Sequence, residues 1–312
     1  MQNASIGIDI AKNSFDLVVY ETGEHNSYTM SDKDIAKALN LIKSTKPKIV
    51  VMEATGGYET KITAKLIVAE IPMAVVNPRK IRDFARATGR TAKTDKIDAE
   101  AIAHYAAVLK PPQTKSSSLA MLELKELVRR RRQLVELRKI EKNHAEASAV
   151  NYVQKSISSV VKTLDLQIAK IDQLIADYIN SMTELQIRKK ILTSIPGISD
   201  TTAQMLVCDL PELGHINRRQ LSSLVGVAPM NRDSGILRGK RMICGGRKAV
   251  RTALYMPALA AIRCNTTIRE FYMRLVNAGK PKKVAIIAVI RKLLTIINSM
   301  VKHGTFWSQN LA

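Results

Sequence analysis

Apolar and polar positions at the start of the chain fall into short β-branched runs, and these then give way to helical spacing. Residues 6–11 (IGIDIA) and 16–21 (DLVVYE) have the length and composition of strands, and 24–30 is placed to pair with them as a third. In SDKDIAKALNLIKS, Ser31 and Asp34 stand at capping-box spacing ahead of an amphipathic helix. KIVVME (48–53) predicts a buried strand, about Tyr58 to Glu70 a helix, and MAVVN (73–77) another strand. Pro78 opens a helix reaching about Gly89. DKIDAEAIAHYAAVL (95–109) is helical by propensity and spacing. Strands followed by alternating strand and helix predict an α/β domain, a mixed sheet flanked by helices.

PPQTKSSS (111–118) has the composition of a linker. Beyond it, 119–150 and 154–193 contain no Gly or Pro and place apolar residues at three- and four-residue steps, which predicts two long antiparallel helices of coiled-coil type. SIPGISDTTAQMLVCDL (194–210) sets a tight Pro-Gly turn between helical segments, a helix-hairpin-helix-like shape that offers backbone N–H groups to a phosphate. The remainder, including ALYMPALAAI (253–262) and KKVAIIAVIRKLLTIINSMV (282–301), reads as helices joined by basic, glycine-containing connections. Three regions follow: 1–112, 113–190 and 191–312.

Composition narrows the class. A chain of 312 residues with 46% hydrophobic content supports two or three cored domains. Only 4% aromatic residues argues against a surface of base-stacking platforms. No uninterrupted apolar run approaches about 18 residues, and MQNASIGIDI lacks a signal-peptide pattern, so a cytoplasmic protein without a membrane partner is expected. Cys208, Cys244 and Cys264 are widely spaced, suggesting neither a disulfide framework nor a zinc site. The net charge of +22 divides into +4 over 1–115, +2 over 116–185 and +16 over 186–312. That imbalance points the last third at nucleic acid, the bland alternative being a merely soluble basic surface. The run RRRR (129–132) is either a solvated helix face or a nucleic-acid contact.

Four carboxylates stand out. Asp9 sits mid-strand, a costly place for a charge. Glu53 ends an apolar strand just before Ala-Thr-Gly-Gly, and functional side chains emerge at the C-terminal edge of such sheets. Asp95 and Asp98 are three apart on one helix and face the same way. Converging at one end of the sheet, these four would repel unless a cation neutralised them. Mg²⁺ suits such hard oxygen ligands, and a pair of ions would serve a phosphodiester displacement. Taken singly, Asp98 could be a solvated helix face and Asp95 a helix N-cap, with Thr94 able to serve instead.

The stretch NRDSGILRGKRMICGGRK (231–248) holds Ser234 among Arg232, Arg238, Lys240, Arg241, Arg247 and Lys248. With Arg251, the last five suit phosphate neutralisation, and Gly235, Gly239, Gly245 and Gly246 permit close backbone approach. Serine is a poor nucleophile without activation. His215 is 19 residues away, and Asp233 more readily pairs with Arg232 or Arg238. On the residues alone, Ser234 reads as a turn or cap residue before it reads as a nucleophile.

GIDIAKNSFDL, VMEATGGYE and KTDKIDAEAIA, followed by SIPGI, LVGVAP, RDSG, RGKR and ALYMPAL, resemble in order and spacing the DEDD-type insertion-sequence transposases. That group takes in pilin-gene invertases and bridge-RNA-guided recombinases. Each motif is weak singly; the ordered set spans essentially the whole chain. The resemblance implies an RNase H-like (RuvC-like) domain in which Asp9, Glu53, Asp95 and Asp98 bind Mg²⁺. It implies a mainly helical C-terminal transposase domain whose Ser234 attacks DNA to form a 5′-phosphoserine link. It also implies a homo-oligomer, a dimer assembling to a tetramer through the coiled coil, and a structured noncoding guide RNA that pairs with donor and target DNA. Two rivals stay open: a metal-dependent nuclease or junction resolvase using only the carboxylates, and a non-catalytic nucleic-acid-binding protein.

Overall fold

Ser5–Ile10 forms β1, the central strand of a five-stranded sheet in the computed structural model, which describes residues 4–90, 94–114, 119–231, 233–235, 237–239 and 241–308. β2 (Ser14–Val19) and β3 (His25–Thr29) extend the sheet antiparallel on one side. β4 (Ile49–Glu53) and β5 (Met73–Val76) extend it parallel on the other, giving the order β3-β2-β1-β4-β5. The period of two sorts the side chains. Ile6, Ile8, Phe15, Leu17, Val50 and Met52 join the core beneath α1 (Asp32–Thr45) and α2 (Thr60–Val68), through Ile35, Ile42, Ile62 and Leu66. Ile49, Val51, Ala74 and Val76 meet Ile81 of α3 (Pro78–Ala87) and Ile102, Tyr105 and Ala106 of α4 (Asp95–Leu109). A sheet covered on both faces explains why these strands read as unbroken apolar runs.

Local chemistry sets the helix starts. The Ser31 hydroxyl accepts the Asp34 N–H at 3.2 Å, and Asn77 caps α3 ahead of Pro78. Thr94 caps α4 by accepting the Ile97 N–H at 3.2 Å, so the cap role falls to Thr94 rather than Asp95. α2 begins at Thr60, later than the spacing predicts. The reason is Glu59, whose carboxylate turns back to accept the Thr55 N–H (3.1 Å), the Thr55 hydroxyl (2.7 Å) and the Gly57 N–H (2.8 Å).

The chain divides into two compact units, up to Glu123 and from Leu124 onward, with the division inside α5 (Leu119–Ala147). α6 (Asn151–Ser181) runs antiparallel to α5: Arg131 pairs with Asp172 and Arg138 with Asp165 at 2.6 Å, seven residues forward on one helix and seven back on the other. The predicted second helix, 154–193, is in fact two. It breaks at Met182, whose φ of −119° and ψ of 104° are extended, and resumes as α7 (Thr183–Thr193).

The rest of this unit packs around α13 (Lys282–His303), with α8 (Asp200–Asp209), α9 (Arg218–Val225), α10 (Lys248–Ala253), α11 (Tyr255–Cys264) and α12 (Thr266–Asn277). By length and composition α13 is apolar enough to cross a membrane. Its Ala285, Val289, Ile290, Leu293 and Ile297 are fully buried, which makes it the core helix of the unit. The connection between α9 and α10, expected as basic and glycine-containing, holds four two-residue strands among its described residues.

Candidate active site

Asp9 follows Ile8 in β1, and Glu53 follows Met52 in β4; Ile8 and Met52 are partners in the parallel ladder. The two carboxylates therefore occupy matching positions at the C-terminal ends of neighbouring strands. Both lie on the α4 face: Glu53 keeps step with Ile49 and Val51, and Asp9 with Gly7. Gly7 is there for room. A Cβ on it would stand 2.5 Å from the Ala99 carbonyl oxygen and closer still to the Ala103 nitrogen. α4 thus lies directly on β1, and its preceding turn brings Asp95 and Asp98 to Asp9.

The electrostatics register that convergence. The Asp9 carboxyl is pushed up to about 6, first by burial, then by the charges of Asp98 and Asp95, with a smaller push from Asp16. The four carboxylates share one end of the sheet without closing into a cage. Among the described residues, no three His, Cys, Asp or Glu side chains converge tightly enough to hold an ion. The donor set nonetheless fits a divalent cation: all are hard oxygens, and Asp9 carries the repulsion that such an ion relieves.

Ser234 lies on an arm of two nested hairpins. β6 (Pro229–Met230) pairs with β9 (Met242–Ile243), and beyond it β7 (Asp233–Ser234) pairs with β8 (Leu237–Arg238). Ser234 faces Leu237 across a two-residue turn begun by Gly235 at φ 56°, so the hydroxyl stands exposed at the tip. Among the described residues nothing hydrogen-bonds to it. Asp233 pairs with Arg241 at 3.0 Å; of the two partners expected from the sequence, Arg232 lies outside the described residues and Arg238, its ladder partner, is described by its backbone alone.

The base of the arm is clamped. Gly226 and Gly246 pack backbone to backbone: a Cβ on Gly246 would come within 2.5 Å of the Gly226 Cα. Arg251 donates to the carbonyls of Val225 (3.2 Å), Gly226 (3.2 Å) and Gly245 (2.9 Å). Arg247 grips Glu212 with both terminal nitrogens, at 2.7 and 2.6 Å, and also donates to the Asp209 carbonyl at 2.7 Å. Burial pushes the Glu212 carboxyl up, but the hydrogen bonds and charge of Arg247 outweigh it and hold the group below its ordinary value. Arg132 adds a 2.5 Å pair to Asp209, whose carboxyl burial raises despite that cation.

Six basic positions were expected to meet phosphate. Arg241 stands on the arm, Lys248 opens α10, and Arg247 and Arg251 work within the fold as described. Arg238 contributes its backbone to the inner hairpin, and Lys240 lies outside the described residues. The RRRR run is tied in on all sides: Arg129 to Glu126, Arg130 to Gln133, Arg131 to Asp172 and Arg132 to Asp209.

Comparison with known proteins places the chain in a family. A family model described as Transposase, of the DEDD IS110 type, matches residues 6–152, and one described as Transposase IS116/IS110/IS902 family matches 189–273. The chain is 31% identical to the pilin gene-inverting protein of Moraxella lacunata, over 97% of each chain, and equally so to that of Moraxella bovis. The chain belongs to the IS110 family of DEDD transposases. It is also 26% identical, over 43% of its length, to the insertion element IS110 uncharacterized 43.6 kDa protein of Streptomyces coelicolor, covering 33% of that protein.

Membership makes the protein a DNA-recombining enzyme, a transposase or site-specific recombinase, and the DEDD designation points to a divalent metal. One acidic residue passed over in the sequence stands beside Asp9. Asp16 is the ladder partner of Asp9 and only 8% exposed; its Oδ1 takes His25 Nε2 at 2.7 Å and the Ser27 hydroxyl at 2.5 Å. The mid-strand position that singled out Asp9 also applied to Asp16, between Phe15 and Leu17.

Proposed function

We propose that this IS110-family transposase cuts and rejoins DNA through Ser234, using Mg²⁺ held by Asp9, Glu53, Asp95 and Asp98. The Ser234 Oγ attacks phosphorus and gives up its proton. The P–O3′ bond breaks, the 3′-oxygen gains a proton, and the 5′-phosphate stays on the serine. A 3′-hydroxyl from another strand then attacks that phosphoserine, reforming the phosphodiester and returning the proton to Ser234. When bound, Mg²⁺ supplies charge stabilisation to the phosphate oxygens and the leaving 3′-oxygen. The chain's own residues hold the ion (the four carboxylates), present the nucleophile (the arm) and neutralise the DNA backbone (Arg238, Lys240, Arg241 and Lys248, with Arg247 and Arg251 bracing the arm's base).

The placement of Ser234 supports this reading above all: an exposed hydroxyl at the tip of a clamped, basic arm, with no base hydrogen-bonded to it among the described residues. Activation then has to come from the carboxylate site, the arm of one protomer serving the carboxylates of another in a homo-oligomer, a dimer assembling to a tetramer. A structured noncoding RNA guides the choice of donor and target, which the family resemblance and the basic C-terminal region support. The work is done in a prokaryotic cytoplasm, on nucleoid DNA.

The test is adduct trapping. With labelled element-end DNA, wild-type protein yields a denaturant-resistant protein–DNA band and Ser234→Ala yields none. Ser234→Ala recombining at the wild-type rate, or free hydrolysed ends from both proteins, would overturn the serine mechanism. Nuclease-treated protein that recombines its native sites unaided would remove the RNA.

A further inference from the structure

α9, the start of the serine arm, α12 and α13 line a pocket of about 470 Å³. Arg218, Arg219, Arg291 and Lys292 line it, and no carboxylate does. None of the four takes part in an ion pair among the described residues, although most of the arginines of this unit already described are paired. Phe271 lies in the same wall, with the Lys292 ammonium 5.2 Å and the Arg274 guanidinium 5.4 Å from its ring centre. Ala228, Pro229 and Ala288 complete an apolar patch beside it. The two hydroxyls, Ser222 and Thr295, donate to the carbonyls of Arg218 and Arg291, so the available donors are the cations.

Four unpaired cations on one concave surface repel each other and focus a positive field into the cavity. The N-terminus of α9 is not the source of that field. Its first N–H groups are already used by the Asn217 side chain, at 3.0 Å from both Arg219 N and Gln220 N, within a capping box. The pocket is in the size range of small-molecule sites: roomy enough for one nucleotide, too small for a duplex.

We infer that this pocket takes a single unpaired nucleotide of a nucleic-acid strand, its phosphate on Arg218, Arg219, Arg291 and Lys292 and its base against Phe271 and the Ala228–Pro229 wall. An anion relieves the repulsion among the cations, and a base has a π-face to lay on the one aromatic ring present. The inference deepens the nucleic-acid reading of this unit and rests on that reading, not on Ser234 chemistry. The strand is either an unpaired stretch of RNA or a displaced strand of DNA; both present the same chemistry.

The experiment is equilibrium binding by fluorescence anisotropy on the full chain, with a ten-nucleotide oligothymidine, a ten-nucleotide oligouridine and a duplex of equal length. Arg219 and Arg291 are exposed, so Arg219→Gln with Arg291→Gln keeps the fold, checked by an unchanged melting temperature. The double variant is expected to weaken binding of at least one single-stranded probe about tenfold and to flatten its salt slope by about one to one and a half, since each lost phosphate contact removes about 0.7. Duplex binding changes less than twofold. Phe271→Leu weakens the same probe about fivefold or more and leaves an abasic oligomer unaffected. Whichever of the two probes responds more identifies the strand. Equal losses on duplex and single strands, or no loss on either single strand, would overturn the inference. Because the readout is binding and not strand exchange, it stands or falls separately from the nucleophile.

Discussion

Asp16 faces Asp9 across the antiparallel β1–β2 ladder, on the same side of the sheet and beneath the start of α4. Like charges directly opposite destabilise a ladder, and here Asp98 and Asp95 add to the repulsion on Asp9. The sheet end is therefore electrostatically strained in a way that serves a cation.

Asp9→Asn is expected to abolish strand exchange yet stabilise the metal-free protein. The folded carboxyl titrates near 6, above its ordinary 3.8. The penalty is absent below 3.8, grows between 3.8 and about 6, and is complete above that. Two units correspond to about 3 kcal/mol in full, and solvent screening of this half-exposed group reduces that to about 1–2 kcal/mol. Thermal melts at pH 7.5 with a chelator should show the variant more stable, and melts near pH 3.5 should show no difference. A wild-type melting temperature for Asp9→Asn at pH 7.5 would count against the coupling of these carboxylates.

Gly7→Val should push α4 off β1. Overpacking of this kind costs about 1–3 kcal/mol, and the shift carries Asp95 and Asp98 away from Asp9. Strand exchange should fall further than the loss of folded protein explains, measured at a temperature where the variant is still folded. If Gly7→Val melts and recombines like wild type, α4 does not depend on that close approach.

Arg247→Ala should release the base of the serine arm. The pair with Glu212 is bidentate but about a third exposed on each side, so the cost is about 1–2 kcal/mol rather than that of a fully buried pair. Arg247→Lys should not restore it, because a point charge cannot make both bonds. The Glu212 carboxyl is held below its ordinary 4.5. Its contribution is thus present above pH 4.5 and fades as pH falls through the lowered folded value. The melting difference between wild type and Arg247→Ala should shrink in that acid range.

Ser234→Ala should leave stability within about 0.5 kcal/mol, since the side chain is exposed and makes no bond among the described residues. Chemical denaturation checks this, and it lets a lost covalent adduct be read as lost chemistry.

The strands and most helices were legible because their signals are local: β-branched runs at period two, Ser31 three residues before Asp34, Pro78 after a capping Asn77. Helix α4 begins and ends as its spacing predicts. The break at Met182 was not legible, since neither Gly nor Pro marks it. Nor was the arm: two-residue strands carry no periodicity, and their pairing joins residues such as Met230 and Met242 that are far apart in sequence.

The site divides in the same way. By itself, the sequence determined which carboxylates are misplaced for a core and which serine sits in a basic stretch, because a charge inside an apolar run is visible one residue at a time. Tertiary structure alone decided that Asp16 joins Asp9, that Thr94 and not Asp95 caps α4, and that Arg247 and Arg251 brace the arm. It also decided that Arg218, Arg219, Arg291 and Lys292, from two separate helices, share one pocket. A cation's role depends on whether folding places a carboxylate, a carbonyl or open space in front of it, and that is set by contacts between residues distant in the chain.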